Sequence, residues 1–164
     1  MTRTVTIGGF MGVGKTTVGR LLADRLGARF VDLDEAVETS CGQTVAEIFE
    51  ARGEEAFRAL ERSELERLLD GPPVVLALGG GTLHQPGAAD MVLSRSDLIV
   101  LWADFSIISR RVGLTDARRP RWSDAEALFE SRSAGYRAFD HVLDVGNMTT
   151  DQVVEQVIGV IQCG

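Results

Sequence analysis

One segment leaves this chain's backbone little choice. The run Gly9-Phe10-Met11-Gly12-Val13-Gly14-Lys15-Thr16 lies between a strand-like stretch, residues 4–8, and a helical pattern, residues 16–26. In that pattern Val18, Leu21, Leu22 and Leu26 share one face, and Gly27 is a natural stop. The run between fits G-x-x-x-x-G-K-[ST], a loop whose glycines take positive φ and aim backbone N–H groups at phosphate oxygens. Such a loop needs a buried strand before it and a helix N-terminus after it. It therefore commits the chain to a strand–loop–helix unit and to the α/β class.

The rest of the sequence repeats that alternation. Residues 29–32, 74–78, 97–102 and 142–145 read as further strands, mostly continuous apolar runs. Residues 44–52, 53–69, 106–111, 124–139 and 150–162 read as helices. Continuous apolar strands interleaved with helices predict a five-stranded parallel sheet with helices on both faces, a three-layer fold. With 164 residues the chain is expected to form one domain over residues 1–164. In such folds ligands sit beyond the carboxyl ends of the strands. The informative segments are then residues 9–16, 32–34, 79–81 and the stretch after Trp102.

Lys15 is the chain's single lysine; the other 16 basic residues (17 − 1) are arginines. Arginine replaces lysine on most surfaces, but it does not replace a compact ammonium among phosphate oxygens. The loop should therefore bind a nucleotide. Lys15 would reach the β- and γ-phosphates, and the Thr16 hydroxyl would ligate Mg²⁺. A dinucleotide fingerprint fits poorly, because Gly12-Val13-Gly14 runs straight into Lys15. The net charge of −7 argues against a nucleic-acid partner. No apolar run reaches membrane-spanning length. Two cysteines, Cys41 and Cys163, suggest free thiols in a reducing compartment. A cytoplasmic monomer is the expectation.

Asp32-Leu33-Asp34 ends the second strand at the ligand edge. Alternation in an extended chain would put both carboxylates on one side. One could hold a magnesium water; the other could accept a hydrogen bond from an acceptor hydroxyl and later its proton. A plainer alternative makes Asp34 the N-cap of a helix starting at Glu35. Arg58 and Glu61, three residues apart on a helix, taken alone are a surface ion pair. Gly79-Gly80-Gly81 either breaks a strand through unusual φ/ψ or lets a ligand approach the backbone closely. His84 and His141 have no evident partner and look structural.

Taken together, Gly9-Phe10-Met11-Gly12, Gly14-Lys15-Thr16-Thr17-Val18-Gly19 and Asp32-Leu33-Asp34 resemble the shikimate kinase family of phosphate-loop kinases. So do Gly42-Gln43-Thr44-Val45-Ala46-Glu47-Ile48-Phe49, Gly53-Glu54-Glu55-Ala56-Phe57-Arg58 with Glu61, and the glycine triplet. The resemblance implies transfer of a phosphoryl group from ATP to the 3-hydroxyl of shikimate, on the way to aromatic amino acids. It implies that Gly12, Val13, Gly14, Lys15, Thr16 and Thr17 hold ATP, and that Thr16 and Asp32 serve Mg²⁺. Asp34 would position the hydroxyl. Arg58, oriented by Glu61, and Arg132 would hold the substrate carboxylate beside Gly79, Gly80 and Gly81. Residues 112–124 would form a lid whose Arg119 closes over the phosphates, with Arg118 and Arg121 as weaker candidates. Arg110 would stack on adenine, and residues 145–149 would wall its other side.

The chain departs from the family pattern in three places. Arg121-Trp122 follows Arg119-Pro120 where leucines are usual, Ala134-Gly135 stands where Pro-Leu is usual, and Ala138 stands where a glutamate is usual. Gluconate or a cyclitol is the rival acceptor. A nucleotide-binding module with little catalysis is the rival of another class.

Overall fold

The computed structural model describes residues 1–113 and 124–163. Five strands alternate with helices: β1 (Thr4–Gly9), β2 (Phe30–Asp32), β3 (Val75–Ala77), β4 (Ser96–Trp102) and β5 (Val142–Asp144). The helices among the described residues are α1 (Lys15–Leu26), α2 (Leu33–Cys41), α3 (Val45–Leu69), α4 (Ala88–Arg95), α5 (Phe105–Val112), α6 (Ala125–Arg137) and α7 (Thr150–Cys163). The sheet is parallel, in the order β2-β3-β1-β4-β5. The expected five-stranded parallel α/β fold is therefore present.

Its physical basis is plain at the centre. All six residues of β1 are buried. Successive side chains of a strand point to opposite faces, so helices must cover both. Val5 and Ile7 face one side, and Thr6 faces the other, where its hydroxyl is hydrogen-bonded to Ser96 (2.9 Å). Without that partner a hydroxyl at this depth would be destabilising. Leu76, Ile99, Val100 and Leu22 complete the middle of the core. Because β1 lies between β3 and β4, the loop after it opens at the carboxyl edge where the chain's connections diverge. That is the usual crevice for a ligand in an open α/β sheet.

Three local features differ from the sequence reading. The chain leaves β2 at Asp32 and turns at once into α2, so Asp34 lies in the first helical turn rather than on an extended strand. The N-cap is Asp32, whose carboxylate accepts from the Asp34 N–H, and not Asp34. Helix α4 and the 3-10 turn Thr82–His84 were not expected at all. The two expected helices spanning residues 44–69 do form, as one rod kinked at Gly53 (φ 81°, ψ 174°). A side chain would be strained in that backbone.

Candidate active site

Loop residues 10–14 bridge β1 and α1, with Gly12 and Gly14 at φ 79° and 113°. Gly14 caps α1 without a side chain, and no acidic residue occupies the helix's first turn. The first N–H groups of α1 thus have neither a side-chain acceptor nor a neutralising carboxylate. Together with the helix dipole they form a site for an anion. The Lys15 ammonium donates to the carbonyls of Gly9 (2.9 Å) and Phe10 (3.0 Å), which holds it across the mouth of the loop.

Thr16 and Asp32 meet beside it. The Thr16 hydroxyl donates to Asp32 Oδ2 (2.8 Å), while Oδ1 of the same carboxylate caps α2 (3.1 Å). These adjacent hard oxygens suit Mg²⁺, which takes few protein ligands and completes its shell with water and phosphate. Among the described residues no cluster of three or more His, Cys, Asp or Glu could hold a metal. A metal bound here would rely on that shared shell.

Asp34 behaves differently from its neighbour. Its Oδ1 is buried with no hydrogen-bond partner. Burial pushes its pKa up from 3.8 to about 6, and the Asp32 and Glu61 carboxylates add to the shift; Lys15 and Arg58 oppose it. A carboxylate whose pKa is raised by desolvation, with one oxygen free of hydrogen bonds, is suited to accepting a proton.

The far end of the cavity is built on α3, the glycine triplet and α6. Glu61 is only 2% exposed, so the Arg58–Glu61 contact (2.8 Å) is not a surface ion pair. Its second oxygen accepts the Thr82 hydroxyl (2.6 Å), which fixes the carboxylate and through it the guanidinium. The glycine triplet explains itself by space. None of the three has a positive φ, so the unusual-φ/ψ reading falls. A Cβ on Gly79 would come 2.8 Å from Glu61 Oε1 and 3.0 Å from Asp34 Oδ1. One on Gly81 would come 2.6 Å from Arg58 Nη2 and 3.3 Å from Arg132 Nη1. Two guanidinium groups therefore converge on Gly81, a fitting place for a planar carboxylate. Arg132 also donates to the Gly80 carbonyl (3.0 Å), as does the Tyr136 hydroxyl.

One cavity of about 1490 Å³ joins these parts. Its lining includes Gly12 through Thr17, Asp32, Asp34, Arg58, Glu61, Gly79, Gly80, Gly81 and Arg132. The volume exceeds the roughly 300–1,000 Å³ of a single small-molecule site and leaves room for two reactants. Arg110 lies apart from it, on a smaller depression with Ile107 and Asn147, its Nε on the Ser106 carbonyl. Arg111, which the sequence did not single out, reaches the cavity and donates to the carbonyls of Val145 (2.8 Å) and Gly146 (3.1 Å). Adjacent arginines on one helix are indistinguishable by type, and only the packing of α5 separates them. Phe49 and Phe57 wall the acceptor end with rings 4.9 Å apart; both belong to the motifs that carry the family resemblance, but neither was expected as a site residue. Arg118, Arg119 and Arg121 lie outside the described residues.

Comparison with known proteins agrees with this geometry. The family model described as shikimate kinase matches residues 11–162. A shikimate kinase of Bradyrhizobium diazoefficiens is 37% identical, covering 99% of this chain and 82% of its own. A solved shikimate kinase of Aquifex aeolicus is 30% identical, with a TM-score of 0.83 over 97% of this chain and 96% of its own. The shikimate kinase of Acinetobacter baumannii, solved in complex with shikimate, is 28% identical. It superposes with a TM-score of 0.92 over 99% of this chain and 94% of its own.

Proposed function

This chain belongs to the shikimate kinase family, and from that membership we propose how its residues divide the transfer of a phosphoryl group from ATP to the 3-hydroxyl of shikimate. The enzyme is a shikimate kinase, an ATP-dependent phosphotransferase of aromatic amino acid biosynthesis. The observation that carries the assignment of roles is Asp34: a carboxylate with Oδ1 buried and without a hydrogen-bond partner, on the cavity wall that also holds the phosphate loop and the paired arginines.

ATP lays its phosphates on the N–H groups of Gly12, Val13, Gly14, Lys15, Thr16 and Thr17. Lys15 leaves the Gly9 and Phe10 carbonyls to sit between the β- and γ-phosphates. Thr16 and Asp32 would hold Mg²⁺, which would supply charge neutralisation at the phosphates when bound. At the other end Arg58 and Arg132 take the shikimate carboxylate, and Glu61 holds Arg58 in place. The bare backbone of Gly79, Gly80 and Gly81 admits the ring. Asp34 accepts a hydrogen bond from the 3-hydroxyl. As the hydroxyl oxygen bonds to the γ-phosphorus, the bond from that phosphorus to the bridging oxygen of ADP breaks and the proton passes to Asp34. Arg119, outside the described residues, is the arginine that the resemblance assigns to spreading the charge of the transferring group. Arg110 stacks on adenine from the adjoining depression, which Arg111 links to the cavity by lining both.

Every group in this scheme comes from one chain, which supports a working monomer forming a single domain. Use of ATP as donor supports the cytoplasm as its compartment. Among the described residues no helix is long and apolar enough to cross a membrane. The direct test is ADP release with shikimate, gluconate or no acceptor. Shikimate alone should stimulate release; stimulation by gluconate and not by shikimate would overturn the reading.

A further inference from the structure

Gly135 of α6 faces His84, which stands 51 positions earlier in the chain (135 − 84). The His84 ring packs edge-on against Tyr136, with centroids 4.6 Å apart. Its Nε2 is 3.4 Å from the Arg132 carbonyl. A carbonyl only accepts, so Nε2 is the donor. Burial and the neighbouring Arg132 charge lower the His84 pKa, which favours the neutral ring. Gly135 is what makes room: a Cβ there would stand 3.0 Å from Nε2 and 3.6 Å from Cδ2, with nothing else within 4 Å.

The same two residues of α6 that His84 touches also grip the glycine triplet. Arg132 and Tyr136 both donate to the Gly80 carbonyl. The 3-10 turn that carries His84 is itself hydrogen-bonded back to the triplet, through Thr82 N to Gly79 O (3.2 Å) and His84 N to Gly81 O (3.2 Å). Triplet and helix are thus joined twice, once inside the cavity at Gly80 and once behind it at His84. We propose that His84 is a positioning residue for the acceptor end of the site. By filling the space Gly135 leaves and bonding the Arg132 carbonyl, it sets where the Arg132 guanidinium stands. This rests on the reading of Arg132 as a carboxylate-binding group.

A double-mutant cycle tests it. His84→Ala should raise the KM for shikimate by roughly three- to tenfold, the worth of one net hydrogen bond, and leave the KM for ATP unchanged. Gly135→Ala in the wild-type background should push the ring aside and raise the same KM. In the His84→Ala background the added methyl meets no ring and should raise it no further. Thermal melting gives a reading that needs no substrate. Gly135→Ala should raise Tm by about 2–4 °C in the His84→Ala background, through helix propensity, and by less in the wild type. Additive Tm shifts with an unmoved shikimate KM would overturn the proposal. Arg132→Lys separates the two levels. If it raises the shikimate KM while His84→Ala does not, the positioning role alone is wrong. If it leaves that KM unmoved, the carboxylate reading of Arg132 is wrong and the positioning role falls with it.

Discussion

Asp34 is the residue in which environment does most to change chemistry. The same side chain two positions earlier, at Asp32, has a hydrogen bond for each oxygen. Asp34 lacks a partner for Oδ1 and is pushed up to about 6. The sign of the consequence for activity is clear. The group must be ionised to accept a proton, so kcat/KM for shikimate should fall as pH drops through about 6, approaching tenfold per pH unit below it. A profile flat from pH 7.5 down to 5 would contradict this. Stability runs the other way. A raised carboxyl pKa gives stability that is complete below the unfolded value of 3.8 and lost as pH rises through about 6. At pH 7 the folded protein therefore bears a penalty of up to about 3 kcal/mol, the shift of roughly two pH units at 1.36 kcal/mol each. Asp34→Asn should melt at a higher temperature than wild type at pH 7, and the gap should close toward pH 4. An equal Tm at pH 7 would mean that the desolvation is not present.

The elements show why some of this was legible in the sequence and some was not. The central strands are legible for different reasons: β4 carries a continuous apolar run from Leu98 to Trp102, as a strand buried on both faces does, while β1 is a short stretch of β-branched residues ending in the glycines of the loop. Helix α4 was missed: Ala88–Arg95 is only 8 residues long, opens after Pro86-Gly87 and has no side-chain cap. Helix α2 was misread at its start because Asp32-Leu33-Asp34 satisfies strand alternation and helix capping equally well; the cap won. Helix α3 was legible at its N-terminus. Thr44 and Glu47 form a reciprocal capping box, with Thr44 N to Glu47 Oε2 at 2.7 Å and Glu47 N to Thr44 Oγ1 at 3.2 Å. That box fixes the helix whose later turns carry Phe57, Arg58 and Glu61. Thr44→Ala should therefore lower stability by about 1 kcal/mol. Chemical denaturation checks it, and an unchanged midpoint would show that packing alone holds the helix start.

At the scale of the molecule, the site is a meeting of segments far apart in the chain. Residue types and local motifs pointed to Lys15, Thr16, Asp32 and Asp34, and the family resemblance added Arg58. The contacts that give those residues their roles join Glu61 to Thr82 across 21 positions and Arg132 to Gly80 across 52. No local pattern encodes such pairs, which is why Arg58 and Glu61, taken alone, look like a surface ion pair and the glycine triplet leaves two readings open. The sheet order brings them together: β1 delivers the phosphate loop, β2 the two aspartates, β3 the glycine triplet, and α6 closes the far side. The central claim is that Asp34 takes the acceptor's proton between two binding ends that it does not itself hold together. Single-turnover phosphoryl transfer by Asp34→Asn, measured beside its ATP dissociation constant, tests that claim most directly. The account predicts a loss of transfer of about 10²–10⁴-fold with ATP affinity within about twofold of wild type. Transfer at the wild-type rate would contradict it.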